Sequence, residues 1–168
     1  MANFSGKVAL VTGAAGNLGS AVSRAYLEAG ARVVLVDYKE ERLKEVFPDL
    51  IPSDEHLLAP STDLTRAEEA QNMVQGALDQ LGSIDALVHT VGGFTMGDKV
   101  HEMDRDTWQG MIDLNVTTFL NMVQAVVPAM LEAGGGKIVS TGARPALEGK
   151  PKMGPYSVAK TAVLRLTE

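Results

Sequence analysis

The sequence contains no cysteine among its 168 residues. A chain without cysteine forms neither a disulfide framework nor a thiolate metal site, and it suits a reducing compartment, so we expect a cytoplasmic protein. The sequence also lacks an apolar run that approaches the roughly 18 residues of a membrane span. Residues 1–7 place a charge and a glycine before only a short apolar run, which is not the pattern of a secretory leader. We therefore expect no membrane segment.

An excess of positive charge is lacking as well. Lysine and arginine number 15 against 21 aspartate and glutamate residues, and the formal net charge is −6. This balance gives no general attraction to nucleic acid or to an anionic membrane, so neither is expected as a partner. The histidines, at positions 56, 89 and 101, form no set with metal-ligand spacing, and we expect no metal site. His89 is interpreted as a core or edge residue of a strand.

Apolar residues make up 45% of the sequence, which is enough for a core, and the length predicts a single domain over residues 1–168. Short apolar runs, several rich in β-branched residues, predict strands at 7–12, 31–36, 57–59, 84–91 and 137–141. Helical spacing of apolar residues predicts helices at 17–29, 39–47, 63–81, 104–133 and from 155 onward, after a loop at 142–154. Residues 48–55 are rich in turn formers, and Thr65 and Glu68 have capping-box spacing. This alternation predicts an α/β fold, a doubly wound parallel sheet (Rossmann fold) of about five strands in three layers.

The turn between the first strand and the first helix is rich in small residues. It contains Gly13, Gly16 and Gly19, and Asn17 and Leu18 lie between the last two glycines. Such a turn lets the backbone bend sharply and approach a ligand, while the helix offers its N-terminal amides to a pyrophosphate. Glycines with this spacing also occur in ordinary tight turns. The position between a strand and a helix favours dinucleotide binding.

Asp37 ends the second predicted strand. A carboxylate at this position can accept hydrogen bonds from both hydroxyls of an adenosine ribose, and it repels a 2′-phosphate. The sequence therefore favours NAD(H) over NADP(H). Lys39 and Arg42 are near enough to soften the exclusion, and a solvated aspartate at a strand end is the structural alternative.

Tyr156 and Lys160 are four residues apart, so a helix places them on one face about one turn apart. A free phenol is a poor acid or base at pH 7, but a nearby ammonium favours the phenolate, and the pair can then serve a carbonyl or an alcohol. An exposed tyrosine beside a solvated lysine is the alternative. Asn115 falls on the apolar stripe of the long helix. Because a buried amide must find partners, it serves a network or the chemistry, or it marks a helix bend.

These residues are predicted to converge. In a doubly wound sheet, ligands bind beyond the carboxyl ends of the strands. Gly13, Asp37, Asp63, Gly92 and the loop before Tyr156 all fall at that edge. This agreement favours a functional role for the tyrosine–lysine pair over a chance occurrence of the two residues.

In these features the chain resembles the short-chain dehydrogenases/reductases. The resemblance covers essentially the whole chain and rests on Thr12-Gly13…Gly19, Asp37, Asp63-Leu64, Gly92, Asn115 and Tyr156…Lys160, in the family's order and approximate spacing. It implies NAD(P)-dependent hydride transfer between a carbonyl and an alcohol of a small-molecule substrate. It further implies that Tyr156 is the acid/base, that Lys160 assists it and holds the nicotinamide ribose, and that Asn115 positions a water in a proton relay. The glycine turn, Asn17, Leu18, Asp37, Asp63, Leu64 and Gly92 are the matching cofactor positions.

The chain departs from the family pattern at four points. Asn17 stands where the usual turn has glycine, and residues 89–92 read His-Thr-Val-Gly in place of Asn-Asn-Ala-Gly. Ala143 stands thirteen residues before the tyrosine, where the catalytic serine is usual, and alanine cannot donate a hydrogen bond to a substrate oxygen. Ser140 and Thr141 are close but out of register. Finally, the family's sheet continues after the tyrosine–lysine helix, so we expect a C-terminally shortened chain without those strands and the substrate loops.

Dihydropteridine reductases are a branch of the family that also lacks this serine. Residues 142–151, the glycine spacing of the turn and residues 91–93 are similar to theirs, and they prefer NADH. The resemblance therefore allows two alternatives to a carbonyl/alcohol enzyme: reduction of a quinonoid pterin, and a non-catalytic NAD-binding protein of the same fold. An epimerase or dehydratase with a separate substrate domain ranks last. The resemblance also implies a homodimer or homotetramer through the helices that carry Asn115 and Tyr156.

Overall fold

The computed structural model describes residues 3–50 and 53–168. Its centre is one sheet of five strands in the order β3-β2-β1-β4-β5, in which every neighbouring pair is parallel. The strands are β1 (Val8–Thr12), β2 (Arg32–Val36), β3 (Leu57–Ala59), β4 (Ala86–His89) and β5 (Lys137–Ser140). This confirms the predicted doubly wound sheet. Residues 1 and 2 of the predicted chain start and residues 51 and 52 of the turn-rich segment lie outside the described residues.

Helices cover both faces of the sheet, because the central strands are apolar on both sides. On one face, alternate residues of β1, β2 and β4 pack against α3 (Ala67–Leu81) and α5 (Thr118–Glu132). On the other face, the intervening residues pack against α1 (Asn17–Glu28) and α2 (Glu40–Val46). The strands β1, β2 and β4 are almost entirely buried, as a parallel sheet between two helical layers requires. The remaining helices are α4 (Arg105–Ile112) and α6 (Gly154–Thr167), with short 3₁₀ turns at Pro48–Leu50 and Arg144–Ala146.

The start of α3 differs from the prediction. The helix begins at Ala67, and no side chain caps it, so the predicted box between Thr65 and Glu68 does not form. Instead, the backbone N–H and hydroxyl of Thr65 both donate to Asp63 Oδ1, at 3.0 and 2.7 Å. The carboxylate of Glu69 reaches back to the Asp63 N–H at 2.7 Å. Asp63, two residues upstream, therefore engages both the N–H and the hydroxyl of Thr65 that the predicted box would use.

The long helix predicted from 104 to 133 is present, with one irregularity. Between α4 and α5, residues Asp113–Thr117 form a π turn, so that the Thr118 N–H donates to Asp113 O, five residues back. The π turn carries Asn115, which is fully buried. Single π turns inside helices occur often at functional sites.

By length and composition the combined helix could also cross a membrane. Arg105–Glu132 spans 28 residues and contains a window of mean hydropathy 1.4, although polar residues interrupt its apolar run. One such helix is weak evidence, because a helix buried in a protein core passes the same test. Here Phe119, Met122, Val126 and Met130 pack in the core.

The fifth strand is the most exposed of the five strands. Among the described residues β5 pairs only with β4, and Val139 is 54% exposed. This agrees with the expectation of an exposed edge at strand five.

Candidate active site

The glycine-rich turn is shaped by contacts that leave no room for side chains. Gly13 has φ +66°, a left-handed conformation that favours glycine. A Cβ on Gly13 would lie 2.9 Å from Thr90 Oγ1, and a Cβ on Gly19 would overlap the Gly13 carbonyl oxygen. Helix α1 therefore packs directly on the turn, and this brings its N-terminus to the edge of the sheet.

The first turn of α1 is open toward solvent. Gly16, its N-cap residue, has no side chain, so no side-chain cap satisfies the amides of the first turn. Gly16, Asn17 and Leu18 are all exposed, and Leu18 is 52% exposed. Free amides and the positive end of a helix dipole suit an anion such as a pyrophosphate.

Asp37 connects this turn to the end of β2. Its Oδ2 accepts a hydrogen bond from the Ala15 N–H and its Oδ1 accepts one from the Lys39 N–H, both at 2.9 Å. A carboxylate oxygen can accept more than one hydrogen bond, so both remain able to receive ribose hydroxyls. Of the two nearby cations, Arg42 is paired with Glu45 at 2.9 Å.

The next pair of predicted cofactor residues is only partly available. Asp63 is half-buried, and its Oδ1 is occupied by Thr65. Leu64 is 4% exposed and belongs to the core, and its carbonyl oxygen accepts from Asn121 Nδ2 at 2.9 Å. The side chain of Leu64 therefore faces the core, and only its backbone remains for a ligand.

Gly92, Asn115 and Lys160 meet at one point beyond the end of β4. A Cβ on Gly92 would lie 2.8 Å from Asn115 Oδ1 and 2.9 Å from Lys160 Nζ. The three residues come from a loop, a π turn and a helix that are far apart in sequence. Gly92, which was predicted at this edge of the sheet, therefore lies against the Asn115 and Lys160 side chains, and a side chain at position 92 would displace their ends.

The Asn115 amide is fully engaged with the protein. Its Nδ2 donates to Gly93 O at 3.1 Å and to Met111 O at 3.0 Å, and its Oδ1 accepts from the Gly93 N–H at 3.2 Å. The side chain thus clamps the backbone of Gly93 much as a neighbouring strand would. With both amide hydrogens in use, Asn115 serves a network in this structure, and its side chain has no hydrogen left for a water.

Lys160 is buried and partly satisfied. It is 4% exposed, and its Nζ donates to Thr141 O at 2.9 Å. An ammonium has three hydrogens, so further donors remain. Burial lowers the pKa of the Lys160 ammonium from its ordinary value.

Tyr156 lies in the first turn of α6, one turn before Lys160. Its ring is half-buried and packs edge-on against Phe94, with ring centroids 5.0 Å apart and an interplanar angle of 70°. Phe94 is itself 50% exposed. The tyrosine therefore borders solvent beside an apolar ring, a position that a planar substrate could enter.

The two hydroxyls closest in sequence to Ala143, those of Ser140 and Thr141, do not take the place of the missing serine. The Ser140 hydroxyl is hydrogen-bonded to that of Thr167 at 2.8 Å, and the Thr141 hydroxyl donates to His89 O at 3.2 Å. Both hydroxyls near this register are thus engaged elsewhere. Within residues 3–50 and 53–168, no three His, Asp or Glu side chains come together as a metal site.

His89 lies in the core, as interpreted from the sequence, and is 2% exposed. Sequence reasoning missed Thr141 and Gly93, the partners of Lys160 and Asn115. Both contribute backbone atoms to these contacts, and a backbone atom leaves no signal in residue type. The glycine pair at 92–93 was the one available clue.

Taken together, the candidate site is a glycine-rich edge of the sheet with a tyrosine–lysine pair on helix α6. The sequence profile of the short chain dehydrogenase family matches residues 7–168. The chain therefore belongs to this family of oxidoreductases.

Individual relatives agree with this assignment. A sorbitol dehydrogenase of Cereibacter sphaeroides is 34% identical over 164 residues, which are 97% of this chain and 62% of that protein. The dehydrogenase/reductase SDR family member 4 of Mus musculus is 31% identical over 165 residues, 98% of this chain and 59% of that protein. An uncharacterized oxidoreductase of Staphylococcus saprophyticus is 31% identical and is covered over 72% of its length.

Solved structures share the fold. An NAD⁺-bound xylitol dehydrogenase matches with a TM-score of 0.90 at 29% identity, over 98% of this chain and 63% of that structure. A carveol dehydrogenase from Mycobacterium avium in complex with NAD matches with a TM-score of 0.89 at 30% identity, over 99% of this chain and 65% of that structure. The chain thus spans slightly less than two thirds of the length of these two dehydrogenases.

Proposed function

We propose that this protein is an NAD(P)-dependent oxidoreductase that transfers a hydride between the nicotinamide and a carbonyl or alcohol carbon of a small molecule. The observation that carries this proposal is the meeting of Gly92, Asn115 and Lys160 beyond β4, next to the turn at Gly13–Gly19. The close contacts of Gly13, Gly19 and Gly92 and the uncapped α1 fit a dinucleotide laid against backbone. Two structural neighbours are described as bound to NAD⁺ or NAD, which supports a nicotinamide cofactor here.

The residues take the following roles. Tyr156 gives a proton to the substrate oxygen in reduction and removes it in oxidation. The Lys160 ammonium lies one helical turn after Tyr156 and donates to the cofactor ribose with the hydrogens that Thr141 leaves free. Asn115 holds the Gly92–Gly93 backbone flat. A bound nicotinamide supplies or accepts the hydride.

NAD(H) is the preferred cofactor. Asp37 stands at the end of β2 with lone pairs for two ribose hydroxyls, and its charge opposes a 2′-phosphate. The pairing of Arg42 with Glu45 weakens the nearest guanidinium as a phosphate ligand. Gly16, Asn17 and Leu18 hold the pyrophosphate, and the backbones of Asp63 and Leu64 border the adenine.

The substrate has two candidate classes. The named relatives and neighbours include sorbitol, xylitol and carveol dehydrogenases, which favours an alcohol or carbonyl compound. Ala143, with the Ser140 and Thr141 hydroxyls engaged elsewhere, favours an electrophile that needs no serine hydroxyl, such as a quinonoid dihydropterin. A non-catalytic NAD-binding role is the alternative if neither class is turned over.

The chain acts as one nucleotide-binding domain that associates with copies of itself in the cytoplasm. Exposed apolar residues lie on the helices of Asn115 and Tyr156, namely Leu114, Leu120 and Val158. A groove of about 480 Å³ beside α6 is lined in part by Leu147 and Val158. Such a surface is typical of a homodimer or homotetramer contact.

Tyr156→Phe tests the assignment. We expect turnover of a panel of aldehydes, ketones and quinonoid dihydropterin to fall by at least about a thousandfold, because the acid/base is removed, while NADH affinity changes less than about twofold. Tyr26→Phe is the matched control, since Tyr26 packs against Phe4 away from the site. Undiminished turnover in Tyr156→Phe would rule out its role. Cofactor binding without turnover of any substrate in the wild type would favour the non-catalytic alternative.

A further inference from the structure

His89 lies at the carboxyl end of β4 and forms a hydrogen-bonded bridge across the protein core. Its Nδ1 is 2.9 Å from the Thr12 hydroxyl at the end of β1, and its Nε2 is 3.3 Å from the Thr118 hydroxyl at the start of α5. All three residues are at most 2% exposed. Buried polar groups need partners, and here three of them supply one another.

The bridge has a defined direction. The Thr118 hydroxyl has one hydrogen, which it donates to Leu114 O at the shorter distance of 2.8 Å. Its oxygen must then accept from His89, so the imidazole carries its proton on Nε2. The unprotonated Nδ1 accepts from the Thr12 hydroxyl. In this arrangement each side-chain group in the series of hydrogen bonds from the Thr12 hydroxyl through His89 and Thr118 to Leu114 O has a partner.

The far end of the bridge lies in the π turn. In an α-helix the Thr118 N–H would donate to Leu114 O, but here it donates to Asp113 O, one residue further back. The Thr118 hydroxyl takes over at Leu114 O. The bridge therefore supports the irregular turn, and the next residue after Leu114 is Asn115.

Asn115 connects the π turn to the candidate active site. Its side chain clamps Gly93, and its Oδ1 lies beside Gly92 opposite Lys160 Nζ. A rotation of the π turn would move Asn115 and, with it, the Gly92–Gly93 backbone. The residue that fixes the turn therefore also fixes the surface on which a nicotinamide would lie.

The surroundings of His89 keep the ring neutral. Burial, and secondarily the positive charge of Lys160, lower the pKa of His89 to about 3. The Phe119 ring lies against the imidazole with centroids 5.3 Å apart. Lys160 is thus the charged group that lowers the pKa of His89, and the ring also contacts the hydroxyls of Thr12 and Thr118 and the ring of Phe119.

We propose that His89 is a positioning residue: as the neutral Nε2–H tautomer it ties the end of β1 to the π turn and thereby sets the place of Asn115 and the Gly92–Gly93 backbone. The link from His89 to catalysis rests on the proposed function, whereas the hydrogen-bonded bridge itself does not depend on that function. An imidazole suits this task because it presents an acceptor and a donor on opposite edges of one rigid ring.

The tautomer is measured first, by ¹⁵N NMR of the imidazoles in the full chain at pH 7, with the His89 signals assigned by their loss in His89→Gln. We expect a neutral ring with the proton on Nε2. A proton on Nδ1, or a cationic ring, would overturn the proposal. This measurement needs no ligand and no variant beyond the one used for assignment.

The coupling to the site is measured by exchange of the Gly93 amide hydrogen, which is bonded to Asn115. In Thr118→Val, which removes the hydroxyl at nearly constant volume, we expect this amide to exchange about tenfold faster, equivalent to one lost hydrogen bond. In Thr118→Ser, which keeps the hydroxyl, we expect exchange within about twofold of the wild type. Equal rates in the valine and serine variants would overturn the proposal, and if the valine variant does not fold, Thr12→Val provides the same comparison from the other end.

A parallel NADH titration separates this inference from the proposed function. If the wild type binds NADH, we expect NADH affinity to fall in Thr118→Val, which lacks the hydroxyl. We expect it to be retained in Thr118→Ser, which keeps the hydroxyl. If the wild type does not bind NADH, the proposed function fails for this chain. The tautomer and exchange results still decide the role of His89.

Discussion

The glycine-rich turn after β1 and the region around Tyr156 hold their functional groups in different ways. In the first, β1 is at most 1% exposed from Val8 to Val11, and the binding groups are backbone amides fixed by packing. In the second, the candidate functional groups are single side chains, which lie near exposed apolar residues such as Phe94, Val139 and Leu147. The proposed cofactor surface is therefore supported by the core of the sheet, while the proposed reacting groups depend on a few individual contacts.

The strongest way to break the first region is Gly19→Ala. The new Cβ would overlap the Gly13 carbonyl oxygen, which is backbone and cannot move aside cheaply. We expect the free energy of unfolding to fall by about 3 kcal/mol, as for overpacking in a dense core. The measurement is a urea unfolding curve.

Gly76→Ala is the matched control for a glycine in a helix. A Cβ on Gly76 in α3 meets nothing within 4 Å. We expect this variant to be more stable by about 0.5–1 kcal/mol, the usual gain of alanine over glycine in a helix. Equal effects at positions 19 and 76 would contradict the idea that helix α1 is packed on the turn.

Next to the second region, His89 is a buried titratable group whose pKa is strongly lowered. The pKa of His89 is lowered to about 3 in the folded protein, so below pH 6.5 the unfolded chain takes up a proton that the folded chain does not. The contribution of His89 is therefore fully present above pH 6.5 and is lost as pH falls toward 3. Between pH 6.5 and 5 we expect a loss of about 2 kcal/mol in the free energy of unfolding.

His89→Gln isolates this loss, because carboxylates titrate alike in both proteins. The variant has no imidazole, so its stability should fall less steeply over the same range in urea unfolding at several pH values. Parallel pH curves for the wild type and His89→Gln would show that His89 is not held neutral in the folded state.

Gly92→Ala tests the point where the two regions meet. The methyl group would crowd Asn115 Oδ1 at 2.8 Å and Lys160 Nζ at 2.9 Å. We expect NADH affinity to weaken by about tenfold, since both contacts shape the cofactor surface. Gly149→Ala, with nothing within 4 Å of its Cβ, should bind NADH like the wild type. Unchanged affinity in Gly92→Ala would place the cofactor elsewhere.

Most of the first region could be predicted from the sequence. The apolar runs of β1 and β2 and the glycines between them are local signals, because a buried parallel strand and a tight turn each constrain neighbouring residues directly. The proposed role of Asp37 was inferred from its position at the end of a strand. The cofactor contact of Leu64 remains a prediction, and its side chain belongs to the core, which depends on contacts with residues distant in sequence.

The second region could be predicted only in outline. The apolar stripe placed Asn115 inside, and the requirement for partners predicted a network. Its partners are the backbone of Gly93 and Met111, and the π turn that presents it depends on Thr118. Backbone partners and a shift of one hydrogen bond leave no pattern in residue types. The predicted capping box at the start of α3 is absent for another reason, because the Asp63 side chain binds the Thr65 hydroxyl.

The most direct test of the account is a fluorescence titration of this chain with NADH and NADPH, beside Asp37→Ala. We predict that the wild type binds NADH at least about tenfold more tightly than NADPH, because the Asp37 carboxylate accepts ribose hydroxyls and repels a 2′-phosphate. The variant should lose that preference while it remains folded. Binding of neither cofactor to the folded wild type, or an unchanged preference in Asp37→Ala, would contradict the proposal that this sheet edge binds NAD(H) through Asp37.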